Sequence, residues 1–109
     1  MTNRKAILSL LRCLRKNFPT NKPVRVCLNN KFPKSLWEKG NAALSTIGKK
    51  YGYIWLDTHR ESAIQCDSLI HEWAHQRVDW YIKEHTNAFW IEHGKIYEIY
   101  VKWLKENEL

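Results

Sequence analysis

Two histidines and a glutamate lie within five residues of one another, in the run His71-Glu72-Trp73-Ala74-His75. Residues four apart lie one above the other on a helix, so a helix here presents both imidazoles to one metal ion. Glu72 then lies beside the ion, where a carboxylate can act as a general base. The competing interpretation is an ordinary helix on which these side chains are polar surface groups or partly buried hydrogen-bonding groups.

A catalytic zinc ion needs a further protein ligand, because such sites use three ligands and leave the fourth position to water. His85 is the first choice, since the residues from Lys83 to Asn87 indicate a break between two helices. A histidine just before a helix is well placed to reach back to the metal. The alternative is a glutamate ligand from the last helix, either Glu92 or Glu98.

A peptidase built on these residues would use the ion and Glu72 together. Bound zinc lowers the pKa of water to about 7, and Glu72 takes the proton as the water attacks a peptide carbonyl. Tyr97 is the first choice for a hydrogen-bond donor to the oxyanion, with His93 and Arg77 behind it. The competing interpretation places Tyr97 on the core face of the last helix. Asp67 and Asp79 are candidates to orient a ligand imidazole.

The first half of the chain contains the elements that must support this site. Apolar residues at helical spacing predict a basic first helix that ends before Pro19, with Thr2 or Asn3 as its cap. Alternating residues predict a strand over 24–28, and residues 29–40 are expected to form a loop or a short turn. Two further runs, 41–47 and 53–56, are expected to pair as a hairpin.

Two more helices complete the prediction. The second is expected to begin with a capping box, in which Thr58 caps and Glu61 reaches back, and to run to about Tyr81. The third is expected to be capped by Thr86 or Asn87 and to continue through apolar residues at helical spacing.

The residues at the metal motif carry a family resemblance. The stretches 67–75, 85–90 and 94–97, which read DSLIHEWAH, HTNAFW and GKIY, resemble the SprT-like zinc metallopeptidases, particularly the short members encoded by bacteriophages. The resemblance implies one α+β domain over residues 1–109. In it, an N-terminal helix and a small antiparallel sheet of about three strands pack on the HExxH helix, which a C-terminal helix follows.

The resemblance also implies site residues and substrates. It makes His71, His75 and His85 the ligands of Zn²⁺ and Glu72 the catalytic base. The substrate would be a protein or peptide, and proteins associated with DNA are a possible class, because the better-known members cleave those. If the chain is encoded by a phage, it is expected to act in the host cytoplasm.

Composition narrows the class of protein. The chain has 109 residues, and its apolar runs are too short for a signal peptide or a membrane span. Three cysteines without a CxxC pair argue against a disulfide framework, so a monomeric cytoplasmic protein with reduced thiols is expected.

Charge is distributed unevenly along the chain. Residues 1–50 hold 12 Lys or Arg against the single acid Glu38, whereas residues 51–109 hold 6 against 10. Such a basic half is able to bind DNA without sequence preference, although it is equally compatible with a solvated surface. This keeps a second class of function open, a nucleic-acid-binding or host-modulating protein whose zinc site is not catalytic.

Overall fold

Three helices and a small sheet make up the part of the chain that the computed structural model describes, residues 3–28, 43–78 and 85–107. The elements in chain order are α1 (Asn3–Asn17), β1 (Val24–Cys27), β2 (Ala43–Ile47), β3 (Gly52–Leu56), α2 (Ser62–Arg77) and α3 (Asn87–Glu106). The architecture is therefore α+β, and each predicted helix and strand has a counterpart among these elements, although several bounds differ. The loop predicted over 29–40 lies outside the described residues.

The sheet is mixed, and the prediction of an antiparallel sheet is wrong for one of its two pairings. The strand order is β1-β3-β2, with β2 antiparallel to β3 and β1 parallel to β3. The hairpin between β2 and β3 is confirmed, and its loop is closed by a hydrogen bond from Gly48 N to Tyr51 O of 2.8 Å. Alternation identifies a strand but carries no information about its direction. The direction of β1 is set by the path of the chain between the elements. Its parallel pairing with β3 begins where Gly52 N donates to Pro23 O, at the start of both strands.

Helix α2 lies at the centre of the molecule and packs against α1, α3, β2 and β3. Its buried side chains join those of the other elements in one core. The fully buried side chains with the largest volumes are Trp73, Phe89, Ile7, Leu10, Leu14, Ile54, Leu56, Leu69, Ile70, Ile96 and Cys66. Because neighbours surround α2 on several sides, the rotation of this helix about its own axis is fixed.

The capping box predicted for α2 is wrong. The helix begins at Ser62 with Glu61 as its N-cap, and no side chain accepts a capping hydrogen bond there. The turn before the helix is held instead by buried Asp57, which accepts hydrogen bonds from His59 N and Arg60 Nε, both at 3.0 Å. Burial alone raises the pKa of the Asp57 carboxyl, but these hydrogen bonds outweigh it and hold the pKa below its usual value.

The other helix ends are defined by local hydrogen bonds. Helix α2 ends at Arg77, earlier than the predicted Tyr81, and its C-cap Val78 has extended backbone angles. At the start of α3, the Thr86 side chain accepts a hydrogen bond from Phe89 N, so the predicted Thr86 cap is confirmed. Among the described helices, none combines the length and the apolar character needed to span a bilayer.

Candidate metal centre

His71, Glu72 and His75 project from α2 while the neighbouring residues anchor the helix. Leu69, Ile70, Trp73 and Ala74 are buried in the core, and the Trp73 indole donates to Phe18 O at 2.9 Å. The two imidazoles, one turn apart, have ring centroids separated by 5.1 Å. The buried residues of the helix therefore determine the direction in which both histidines point.

His85 completes a cluster of three imidazoles from a position just before α3. Its ring stacks on buried Phe89, with centroids 4.6 Å apart. One ligand nitrogen from each of His71, His75 and His85 can be chosen so that all lie within 4.8 Å of one another. The Nε2 atoms of His71 and His85 are 3.2 Å apart. A hydrogen bond between His71 and His85 would explain this short distance by itself. Because the His75 imidazole also lies beside these two rings, the three histidines together are able to hold one metal ion.

The donor chemistry of this cluster also suits a metal. Burial, and then the nearness of the other histidines, lowers the pKa of His71 to about 4. Burial and the nearby His85 lower the pKa of His75 in the same way. Near neutral pH both side chains are uncharged imidazoles, which is the form that coordinates metals. The three residues therefore fit a metal of the kind that prefers nitrogen ligands.

Glu72 follows the first histidine directly and is only partly exposed. Loss of hydration on burial raises the pKa of its carboxyl to about 7. Among the described residues, Glu72 forms no ion pair, so its carboxylate is available as a proton acceptor.

The predicted oxyanion donors lie on α3 and α2 at different distances from the cluster. His93 is the nearest, with its ring centroid 6.0 Å from that of His71. Tyr97 stacks on His93 at 6.2 Å and is 49% exposed, so the interpretation of Tyr97 as a core residue is wrong. Arg77 is directed elsewhere, because it donates to Glu92 and to Pro19 O.

The acidic candidates have other partners. Both carboxylate oxygens of Glu92 are paired, one with Arg77 at 3.0 Å and the other with Lys95 at 3.5 Å. Glu98 is exposed on α3. Asp67 is hydrogen-bonded to the Tyr100 hydroxyl and lies near His93. Asp79, the other predicted partner of a ligand imidazole, lies outside the described residues.

A buried amide beside His75 locks α2 to the sheet. Gln76 Nε2 donates to Ser45 Oγ at 2.6 Å and to Thr46 O at 3.2 Å. Gly52 makes this possible, because a Cβ at that position would lie 2.1 Å from the Gln76 side-chain oxygen. Motif reasoning from the sequence missed Gln76, since nothing about one glutamine after HExxH distinguishes it from a surface residue.

Two aromatic neighbours of the cluster were also not assigned to the site from the sequence. Phe89 forms the floor under His75 and His85, and Trp90 lies against His85 with centroids 5.3 Å apart. Their signal was present in the spacing, because residues four and five after His85 lie in the first turn of the next helix, which begins at Asn87. The three cysteines carry free thiols, and Cys66 is buried.

Comparison with protein-family models, with curated proteins and with solved structures finds no match for this chain.

Proposed function

We propose that this chain is a zinc-dependent metallopeptidase that holds its ion with His71, His75 and His85 and uses Glu72 as the general base. The observation that carries this proposal is the convergence of three histidine nitrogens within 4.8 Å of one another. Glu72 lies in the same helical turn as two of them. Three nitrogen ligands and a neighbouring carboxylate are the usual groups of a hydrolytic zinc site.

The spacing of one pair of donor atoms is compatible with zinc. Zinc binds imidazole nitrogen at about 2.0–2.1 Å in tetrahedral geometry, which separates two ligand nitrogens by about 3.3 Å. The His71 and His85 Nε2 atoms are 3.2 Å apart. Little movement is then needed for this pair to bind zinc, whereas Ca²⁺ and Mg²⁺ prefer oxygen ligands.

The proposed chemistry assigns each group one task. When bound, zinc polarises the scissile carbonyl and lowers the pKa of water to about 7. Glu72 accepts the proton from the attacking water and passes it to the departing amine. Phe89 packs beneath the imidazoles and keeps their rings in place. His93, the nearest additional donor, is better placed than Tyr97 to hydrogen-bond the oxyanion.

A structural zinc site is the less favoured alternative. Such sites close the fourth position with another protein ligand, often a cysteine. Among the described residues, the cluster contains three donors, and all three are histidines. Three ligands leave a position for water, which is the arrangement that hydrolysis requires.

The direct test is cleavage of an unstructured protein by the zinc-loaded chain. We expect the zinc-loaded chain to cleave peptide bonds of this substrate, as monitored by electrophoresis. Cleavage should stop when a chelator removes the metal and return when zinc is added back. Added magnesium is the matched control and should restore nothing, because the histidine cluster offers it no oxygen ligands. Equal cleavage before and after complete metal removal would contradict the proposal.

DNA remains a proposed second partner, through the surface of α1. Arg4, Arg12 and Lys16 are exposed on this helix, and α1 contains no acidic residue. Arg15 is different, because it donates to Val24 O at 2.8 Å and so helps to hold β1. A face of this kind suits phosphate contacts without base recognition.

We therefore expect salt-sensitive binding of DNA that does not depend on its sequence. Four phosphate contacts would give a log-log salt slope of about −3 in fluorescence anisotropy. Changing Arg4, Arg12 and Lys16 together to Gln should flatten the slope. The matched control changes the exposed Lys95, Lys102 and Lys105 of α3 to Gln, which removes the same charge and should leave the slope unchanged. Binding that ignores salt, or an equal effect of both triple variants, would argue against a role of α1.

A further inference from the structure

Helix α3 has an exposed aromatic stripe beside its buried face. The buried face consists of Phe89, Ile96, Tyr100 and Trp103. Next to it, Trp90 is 51% exposed and Tyr97 is 49% exposed. Positions 90, 93, 94 and 97 share one side of a helix, because successive residues turn by about 100°. We call Trp90, His93, Gly94 and Tyr97 the α3 stripe.

The α3 stripe is continuous with the metal cluster. The Trp90 ring lies 5.3 Å from that of His85 and 5.7 Å from that of His93, measured between centroids. His93 then stacks on Tyr97 at 6.2 Å. These ring contacts make an unbroken surface that begins at a proposed zinc ligand and extends along the helix. A substrate held at the metal would lie against it.

Gly94 adds a second, independent observation. It lies inside α3, where glycine is less favourable than alanine, yet a Cβ built there would meet nothing within 4 Å. Packing within the described structure therefore gives no reason for a glycine. It leaves a notch between Trp90 and Tyr97, which is what the close approach of another chain requires.

Length and chemistry identify the occupant. From Trp90 to Tyr97 the helix rises about 10 Å, which matches about three residues of an extended peptide. The stripe has aromatic rings and no acidic or permanently charged side chain, so it suits an apolar residue of that peptide rather than a charged one. Because it adjoins His85, the residue that it contacts would be close to the scissile bond.

We propose that the α3 stripe is a substrate subsite, which binds a large apolar or aromatic side chain of an extended peptide next to the bond to be cleaved. This inference rests on the proposed peptidase function and adds the substrate preference. Trp90 supplies the contact nearest the metal, Tyr97 the distal contact, and Gly94 the space for the peptide backbone.

The test compares two fluorescent peptides that differ only in a central Phe or Ser. Binding is measured by anisotropy with the zinc-loaded Glu72→Gln variant, so that cleavage does not interfere. We expect the Phe peptide to bind about tenfold more tightly, which is the usual discrimination of an apolar subsite. In the same background, Trp90→Ala, Tyr97→Ala and Gly94→Leu should each reduce this preference towards one.

Ile91→Ala is the matched control, because Ile91 is 60% exposed but lies about 100° around α3 from Trp90. It should keep the full preference. Gly94→Leu separates a loss of binding from a loss of the fold. Because leucine favours a helix more than glycine does, the melting temperature of this variant should equal or exceed that of the parent. Zinc content, measured for every variant, should remain unchanged.

The inference is overturned if the parent does not prefer Phe, if the three stripe variants keep the preference, or if Ile91→Ala loses as much. The proposed function fails separately. In that case the wild-type protein cleaves no peptide, while the preference in binding persists.

Discussion

Glu72→Gln is expected to retain one zinc ion and the fold while losing peptidase activity by about 10² to 10⁴-fold. The amide has nearly the same shape as the carboxylate but does not accept a proton from water. Burial raises the pKa of the wild-type carboxyl to about 7, which suits it to accept a proton from water near neutral pH. The measurement is the initial rate of peptide cleavage at a fixed, saturating zinc concentration, together with the metal content of the same sample.

The matched control for this substitution is Glu98→Gln, an identical change at an exposed position of α3. It should leave both the rate and the zinc content unaltered. If Glu72→Gln lost zinc and activity in parallel, its carboxylate would be supporting the metal rather than acting as a base. Undiminished turnover in Glu72→Gln would remove the proposed mechanism.

His85→Ala is expected to weaken zinc binding by more than about a hundredfold, because removing a ligand costs at least as much as removing an outer partner of one. Free zinc at a concentration about a thousand times its dissociation constant stabilises a folded protein by about 4 kcal/mol. The wild-type protein should therefore melt at a clearly higher temperature with zinc than with a chelator. In His85→Ala, at the same zinc concentration, this stabilisation should fall to about a third or less, as measured by calorimetry and elemental analysis.

A different histidine provides the control for the ligand assignment. His59 follows β3 in an exposed position, where it contacts Asp57 rather than the metal cluster. His59→Ala should bind zinc as the wild-type protein does. Stoichiometric zinc in His85→Ala, with loss of zinc in Glu92→Ala instead, would transfer the third ligand to the glutamate of the alternative prediction. The ion pairs of Glu92 with Arg77 and Lys95 make that result unexpected.

The sequence by itself determined the features that depend on local spacing. HExxH on a helix places His71 and His75 one above the other whatever surrounds them, because their separation is a property of helical geometry. The break before α3 was likewise visible, since Thr86 has the side chain that an N-cap needs. The same holds for the β2–β3 hairpin, in which glycines mark the loop between two β-like runs.

Only the tertiary structure decided how separate elements meet. The parallel pairing of β1 depends on the path of the chain between elements, and alternation along one strand does not encode that path. The predicted capping box is wrong because α2 begins at Ser62 with Glu61 as its N-cap, and buried Asp57 accepts hydrogen bonds from the turn before the helix. The spacing was also compatible with two interpretations of Tyr97, as a site residue or as a core residue. The packing of α3 buries Phe89 and leaves the Tyr97 side chain exposed.

The position of His85 beside the other two histidines depends both on local sequence and on tertiary packing. Its place before a helix was visible in the sequence, but so were Glu92 and Glu98 as alternative ligands. The packing of α3 on α2 places His85 Nε2 3.2 Å from His71 Nε2 and pairs Glu92 with Arg77. A choice among ligands from another helix is a matter of distance in space. That distance is set by the fit of two buried helix faces, which no local sequence pattern contains.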